Sequence, residues 1–248
     1  MSRTRAALSS LRWAMWLLAL LAALTSLESF TEAARGVDEA VYSFALGNRS
    51  SGLTHIAKVV TDSGTSPLLY PLIGYAGIVV RRRTGRWVPG LVAVAVVAVG
   101  VWSRYELSRL VGDPRPPGQG RLVVVTGYSF PSGHAATSAL VAGALAILLW
   151  SVLTDRRARV AVCVAAATWA GLVALSRVYL GVHWISDLVG SWLLAGVWLV
   201  VLHTVVEWAA ARTATGEAAA TIPPGPAAEA PAEAPPARDP IRHGPDSA

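Results

Sequence analysis

Six apolar runs constrain the fold of this chain more than any other feature of its sequence. They cover residues 13–27, 66–80, 87–102, 133–153, 160–180 and 184–206. A helix needs about 20 apolar residues to cross the hydrocarbon core of a bilayer. The last three runs reach that length, the first and third reach it with their flanks, and the second is short. The pattern predicts an all-α, polytopic membrane protein with six transmembrane helices.

The overall composition agrees with a membrane protein and argues against a nucleic-acid-binding protein and a zinc protein. Of 248 residues, 54% are hydrophobic and 15% are charged, whereas soluble domains are about a quarter charged. The net charge of +6 does not indicate a nucleic-acid partner, because the basic residues form short clusters between apolar runs and not one basic face. Cys163 is the only cysteine, and no Cys/His cluster suggests zinc. The sequence therefore gives no sign of a zinc site.

The placement of basic residues predicts the orientation. Basic clusters occur at Arg3 and Arg5, at 81–86, at 155–159 and at Arg212. With six spans, all of these fall on one side, and Lys and Arg are retained in the cytoplasm. The chain is therefore expected to be a multi-pass protein of the plasma membrane with both termini cytoplasmic. Residues 28–64 and 103–131 would then face the extracytoplasmic side.

Three regions follow from these patterns. Residues 1–10 are expected to form a cytoplasmic N-terminus, and residues 11–208 the membrane domain. Residues 213–248 are rich in Ala, Pro and Glu and are predicted to form a disordered cytoplasmic tail. Alternatively, the first run is a cleaved signal peptide, since it has a basic start and a short apolar core; the other five spans would keep their orientation.

A short interfacial helix is predicted between the first two spans. Leu53, Ile56, Ala57 and Val60 follow helical spacing. A single apolar stripe of this kind is typical of a helix that lies in the membrane interface.

Polar residues at the predicted span ends are candidates for function, because ionisable groups in a membrane are costly. His183 and Asp187 are four residues apart and share one face of a helix. Asp187 can accept a hydrogen bond from one ring nitrogen of His183, which makes the other nitrogen a better nucleophile. The same pair also fits a structural bridge between helices.

The sequence "PSGH" at 131–134 is typical of a helix start. Ser132 can serve as N-cap, and Gly133 lets a ligand approach the free backbone N–H groups, which form an anion site. His134 would stand beside that site as a proton donor. A plain helix cap with a chance histidine is the alternative.

Two arginines complete the predicted site. Arg115 and Arg177 carry planar guanidinium groups that bind phosphate oxygens in a bidentate manner. Exposed loop arginines are common, but all the candidate groups fall on one side of the predicted membrane.

These residues resemble the motifs of the type 2 phosphatidic acid phosphatase superfamily of membrane lipid phosphatases, which are K-x6-RP, PSGH and SR-x5-H-x3-D. The second motif is intact at 131–134, and the third is intact from Ser176 to Asp187. In the first, Arg115 and Pro116 match, but Ser108 stands at the lysine position. Arg109 and Arg104 could each supply the missing cation; Arg109 is preferred because it is adjacent.

The resemblance implies a lipid phosphate or diphosphate substrate and a reaction without a metal or other cofactor. The predicted orientation places this reaction at the outer leaflet. His183 would form a phosphohistidine, Asp187 would orient it, and His134 would protonate the leaving oxygen. The phosphoryl oxygens would be held by Arg115, Arg177, Ser132, Gly133 and Arg109.

The outward site and the lysine-poor, bacterial-looking chain favour undecaprenyl diphosphate or a related polyprenyl phosphate as substrate. Phosphatidic acid and phosphatidylglycerophosphate are the alternatives. A catalytically inactive relative that binds or transports lipids, or a vanadate-dependent haloperoxidase-like enzyme, would keep a similar residue set. The sequence gives no indication of the oligomeric state.

Overall fold

The structure is a computed structural model that describes residues 15–16, 18–19, 21–23, 32–64, 67 and 69–220. The predicted N-terminus of residues 1–10 and the part of the predicted tail from residue 221 onward lie outside these described residues. Seven α-helices follow one another in the described part, and it contains no β-strand. They are α1 (Glu32–Gly47), α2 (Ser51–Ser63), α3 (Leu69–Thr84), α4 (Val88–Val111), α5 (Gly133–Val152), α6 (Arg156–Tyr179) and α7 (Ile185–Ala220). The all-α prediction is confirmed for these residues.

Four of these helices are long and apolar enough to cross a membrane: Val88–Val111, Gly133–Val152, Arg156–Tyr179 and Ile185–Ala209. The expectation of six spans is thus met for four runs. Helix α3 has 16 residues, fewer than the roughly 20 that a span needs. The described residues within 15–23 are helical, but most of the first run lies outside the description.

The region between the first two runs contains more structure than predicted. The segment predicted to lie in the membrane interface forms helix α2, whose N-cap Ser50 accepts a hydrogen bond from the Leu53 amide at 3.3 Å. Its position in the interface stays a prediction. Helix α1 precedes it, and no helix is predicted there from the sequence.

Helix α7 continues to Ala220, so residues 213–220 are helical where the sequence predicts disorder. Their Ala-rich stretch has high helix propensity, and no proline occurs before Pro223. Chain contacts divide the molecule into a unit of Met1–Ala211 and a unit of Arg212–Ala248.

The main core of the first unit joins α3, α4, α5 and α7. Ile73, Val97, Leu140, Leu148 and Leu202 are fully buried within it. Helices α3 and α4 approach closely where two glycines face each other: a Cβ on Gly77 would lie 2.8 Å from the Cα of Gly90. Helix α4 ends at Gly112, which adopts a left-handed conformation with φ 68° that glycine tolerates at a helix C-terminus. The chain is thereby turned into the loop of residues 113–132.

Candidate functional site

The loop of residues 113–132, the start of α5 and the start of α7 are tied together by hydrogen bonds. The Ser129 amide donates to the Asp113 carbonyl at 2.8 Å, and the Ser132 amide donates to the Asp187 carbonyl at 3.4 Å. The Ser191 hydroxyl donates to the Ser132 carbonyl at 3.0 Å. These bonds bring the "PSGH" segment against the His183–Asp187 segment, which is the arrangement that the polar residues at the span ends suggested.

His183 and Asp187 form a buried hydrogen-bonded pair. The distance from Nδ1 of His183 to Oδ2 of Asp187 is 2.9 Å, and their side chains are 2% and 0% exposed. On the other side of the ring, Nη1 of Arg115 lies 2.9 Å from Nε2. A guanidinium group can only donate, so Nε2 is the acceptor and Nδ1 carries the proton that Asp187 receives. The lone pair on Nε2 is thus available for reaction once Arg115 moves away.

Burial lowers the pKa of His183 well below its ordinary value, and the positive charges of Arg115, Arg177 and Arg104 lower it further. The ring is therefore neutral at physiological pH. A neutral imidazole is the form that can act as a nucleophile.

Asp187 is held by two further donors. The Ser129 hydroxyl donates to Oδ2 at 2.5 Å, and the Trp184 amide donates to the same oxygen at 2.8 Å. Oδ1 is buried and has no hydrogen-bond partner among the described residues. The carboxylate is therefore fixed through one oxygen, in the orientation that meets His183.

Arg115 is anchored by the loops around it. Its Nε donates to the Gly127 carbonyl at 2.9 Å, and Nη2 donates to the Thr126 carbonyl at 3.2 Å. Nη1 donates to the Val182 carbonyl at 2.9 Å besides its contact with His183. The guanidinium therefore lies directly against Nε2 of His183.

Arg177 reaches the site from the last turn of α6. It is 3% exposed, and Nη1 donates to Oγ1 of Thr61 at 2.9 Å. Its Nε is buried without a partner among the described residues. A buried, unsatisfied N–H is costly, so this arginine carries a free donor that an anionic ligand would satisfy.

The start of α5 also presents unsatisfied groups. Ser132 occupies the N-cap position with no side-chain cap bond, and its Oγ is buried and unpartnered within the described chain. The expected N-cap position is found, but the hydroxyl is left free for a ligand. His134 follows in the first turn, and its ring interacts electrostatically with Arg177, His183, Arg104 and Arg115.

The two arginines that could supply the missing cation, Arg109 and Arg104, lie in different surroundings. Arg109 is exposed, and its Cζ lies 5.8 Å from the ring centroid of Tyr105, on its own helix. Arg104 instead donates from Nε to the Pro131 carbonyl at 2.8 Å. Residues 104 and 109 are five apart, so they lie on different faces of α4, and only Arg104 faces the start of α5.

Three residues of the site are not predicted from the sequence. Thr61 and Ser129 hold Arg177 and Asp187, as described above. Asp38 is buried and accepts hydrogen bonds from the Ser186 amide at 3.0 Å and hydroxyl at 2.6 Å, which caps the first turn of α7. Ser129 could have been suspected from its place beside "PSGH", whereas the other two depend on long-range packing.

Within the described part of the chain, no cluster of three or more His, Cys, Asp or Glu could hold a metal ion. Metal independence stays a prediction.

Comparison with known proteins places this chain in one family. Residues 84–211 match the PAP2 superfamily. Phosphatidylglycerophosphatase B of Bacillus subtilis is 33% identical over 164 residues, which is 65% of this chain and 79% of that protein. Undecaprenyl-diphosphatase of Sulfolobus acidocaldarius is 32% identical over 124 residues, which is 46% of this chain and 51% of that protein. The chain thus spans about half the length of the second relative.

Two solved structures resemble the fold. The crystal structure of a transmembrane PAP2-type phosphatidylglycerolphosphate phosphatase from Bacillus subtilis superposes with a TM-score of 0.72 and 28% identity, over 79% of this chain and 96% of that one. The crystal structure of Aquifex aeolicus LpxE superposes with a TM-score of 0.52 and 21% identity, over 66% of this chain and 93% of that one. The second likeness concerns the fold alone.

Proposed function

Because the chain belongs to the PAP2 superfamily and is a membrane lipid phosphatase of that type, we propose that it hydrolyses its lipid substrate through a phosphohistidine at His183. The observation that carries this proposal is the pair of contacts on the His183 ring. Asp187 receives the Nδ1 proton at 2.9 Å, and Nε2 presents its lone pair to Arg115 at 2.9 Å. A nucleophile oriented by a carboxylate and flanked by a phosphate-binding cation is the arrangement that phosphoryl transfer needs.

In the first step, Nε2 of His183 attacks phosphorus. The P–N bond forms as the bond from phosphorus to the leaving oxygen breaks. His134 donates its proton to that oxygen, so the product leaves as a lipid alcohol, or as a lipid monophosphate when the substrate is a diphosphate. Asp187 stabilises the positive charge that develops on the His183 ring.

In the second step, a water molecule attacks the phosphohistidine. His134, now neutral, takes a proton from the water, and the P–N bond breaks. Inorganic phosphate leaves, and the two histidines return to their starting protonation states. Proton transfer of this kind typically contributes about 10²–10⁴-fold to a rate.

The phosphoryl oxygens would be held by hydrogen-bond donors that either lack a partner in the free enzyme or can exchange their partner for the substrate. The free side-chain donors are Nε of Arg177 and Oγ of Ser132. The amide of Gly133, the first residue of α5, has no partner within the helix and is a further donor. Arg115 would exchange its contact with Nε2 of His183 for a phosphoryl oxygen, which exposes the nucleophile only when the substrate is bound. Donors fixed in advance around a developing charge commonly contribute about 10²–10³-fold each.

The substrate is proposed to be a lipid phosphate or diphosphate whose headgroup lies at the outer leaflet of the plasma membrane. We rank phosphatidylglycerophosphate first, since a relative that matches 65% of this chain is named for that lipid. Undecaprenyl diphosphate is the second candidate, since a shorter match is named for it. Both lipids place a phosphate on an apolar chain, so the proposed chemistry is the same for both.

The test is phosphate release by the purified protein from a panel containing phosphatidylglycerophosphate, phosphatidic acid, undecaprenyl diphosphate and undecaprenyl phosphate, each in EDTA. We expect release from at least one lipid, and single-turnover trapping of an acid-labile phosphoenzyme that His183→Ala abolishes. Strict dependence on magnesium, or no release from any lipid, contradicts the proposal. Turnover retained in His183→Ala also contradicts it, and binding of lipid without turnover indicates an inactive carrier.

A further inference from the structure

We propose that Arg104 binds a phosphoryl oxygen of the substrate and replaces, from one helical turn earlier, the lysine that is missing at Ser108. The inference rests on the proposed phosphatase function and concerns how this chain completes its phosphate site. Arg104 belongs to α4, a membrane-spanning helix. An ionisable residue in such a helix is expensive and usually functional.

The guanidinium of Arg104 lies against the start of α5. Its Nε donates to the Pro131 carbonyl at 2.8 Å. A Cβ placed on Gly133 would lie 3.2 Å from Cζ and 3.4 Å from both Nη atoms of Arg104. Gly133 thus leaves room for this guanidinium beside the backbone N–H groups of α5, so both kinds of donor face the same space.

The guanidinium of Arg104 is aligned by the hydrogen bond from Nε to the Pro131 carbonyl. Its two Nη atoms lie beside the position that a Cβ on Gly133 would occupy, at the start of α5. A planar fork that is oriented before binding can donate two hydrogen bonds to a phosphoryl group.

The helical register explains why residue 104 can serve in place of residue 108. Positions four apart lie on the same face, about 6 Å apart along the axis. Ser108 is 5% exposed and carries only a short side chain, so it cannot reach the site itself. Arginine is longer than lysine and can span much of that extra distance. Arg109 lies on another face and is exposed.

The charges of the site support the same assignment. The positive charge of Arg104 acts on His183, together with those of Arg115 and Arg177. Three cations around one histidine match the charge of a transferring phosphoryl group and favour the transition state.

The experiment compares four variants in the purified, full-length protein: Arg104→Ala, Arg104→Lys, Arg109→Ala and the double variant Arg104→Ala/Ser108→Lys. The readouts are kcat/KM on the active lipid and the inhibition constant of orthovanadate, a phosphoryl mimic that reports the phosphate site without turnover. We expect Arg104→Ala to lose about 100-fold or more in kcat/KM, as for loss of one preorganised donor, and to weaken vanadate by a similar factor. Arg109→Ala should stay within about twofold, in keeping with its exposed position.

The double variant distinguishes a phosphate-binding role of Arg104 from a structural one. Lysine at position 108 should raise kcat/KM at least about tenfold above the value for Arg104→Ala, because it returns a cation one helical turn later. A purely structural role for Arg104 predicts weaker thermal stability, unchanged vanadate inhibition in the folded fraction and no rescue, and this result would overturn the inference. Loss of activity in Arg109→Ala with an intact Arg104→Ala would also overturn it. Neither result contradicts the proposed function, which is tested separately by the loss of turnover in His183→Ala.

Discussion

Arg177 donates from Nη1 to Oγ1 of Thr61 at 2.9 Å, and both side chains are buried. Thr61 lies on α2, outside the residues 84–211 that match the PAP2 superfamily. Helix α2 therefore holds Arg177 of the candidate site directly, besides its predicted place in the membrane interface. The hydroxyl aligns one edge of the guanidinium and leaves Nε free for a ligand.

We expect Thr61→Val to lower kcat/KM by about tenfold, since a buried hydrogen bond to a charged group contributes about 1.5–3 kcal/mol. Thr61→Ser keeps the acceptor and should recover most of the activity. Thr54→Val is the matched control, because Thr54 lies on the same helix and contacts the Tyr179 hydroxyl at 3.2 Å outside the site. If Thr54→Val and Thr61→Val lower activity equally, Thr61 acts only through the stability of α2.

Contacts of this site between residues close in sequence can be predicted from the sequence. Contacts between residues far apart in sequence are seen only in the structure. The four-residue spacing of His183 and Asp187 correctly indicates their contact, but the predicted shared helix face is wrong, because His183 lies in the turn before α7, which begins at Ile185. Thr61 and Asp38 cannot be predicted in this way, since their partners lie 116 and 148 residues away and a lone Thr or Asp has no pattern. The runs at 133–153, 160–180 and 184–206 correspond closely to α5, α6 and the membrane part of α7.

The choice between Arg104 and Arg109 shows a different limit. Adjacency along the chain favours Arg109, but neighbouring residues on a helix point about 100° apart. Helical spacing from Ser108 would have pointed to Arg104, which lies four residues earlier. The structure places Arg104 against Pro131 at the start of α5, whereas Arg109 is exposed.

Ser129 is expected to position Asp187. Its hydroxyl donates to Oδ2 at 2.5 Å, the same oxygen that receives the His183 proton. Ser129→Ala should reduce kcat by about tenfold with little change in KM, because the donor fixes the carboxylate and does not contact the lipid. Ser138→Ala is the control: Ser138 is also buried, but its hydroxyl bonds to the Ala135 carbonyl at 3.2 Å within its own helix. A change in KM alone would contradict a positioning role.

Asp113 is expected to make stability depend on pH. Burial raises its pKa from 3.8 to about 6, and the negative charges of Asp187 and Asp38 add to the shift. A carboxyl whose folded pKa is raised keeps its proton longer in the folded protein, so stability falls as pH rises through the window from 3.8 to about 6.

Asp113→Asn should remove that penalty. At pH 7.5 we expect a gain of about 1 kcal/mol, after discounting for the partial solvent exposure of this group, which corresponds to about 2–4 °C in the melting temperature. At pH 4 the gain should vanish. Thermal unfolding in detergent at the two pH values measures this, and an equal gain at both would show that Asp113 does not titrate in the window.

The outward orientation of the site can be tested on the loop of residues 113–132. Val124 in that loop is 97% exposed. In a Cys163→Ala background, Val124→Cys should react with a membrane-impermeant maleimide in intact spheroplasts, because the loop is expected outside the cytoplasmic membrane. Arg157→Cys, an exposed position at the start of α6, should react only after permeabilisation. The reverse pattern would place the site in the cytoplasm.

The proton-donor role of His134 predicts a dependence on the leaving group. His134→Ala should slow the first step by about 10²–10⁴-fold for an alkyl lipid phosphate, whose leaving oxygen must be protonated. A nitrophenyl phosphate leaves as a stable anion, so its first step should be slowed far less. The measurement is the burst rate of nitrophenol release, which isolates phosphoenzyme formation from the later attack by water. Asp187→Asn is the comparison, since it impairs the nucleophile and should slow both substrates by the same factor. Equal losses for both substrates in His134→Ala would assign His134 to phosphate binding and not to proton transfer.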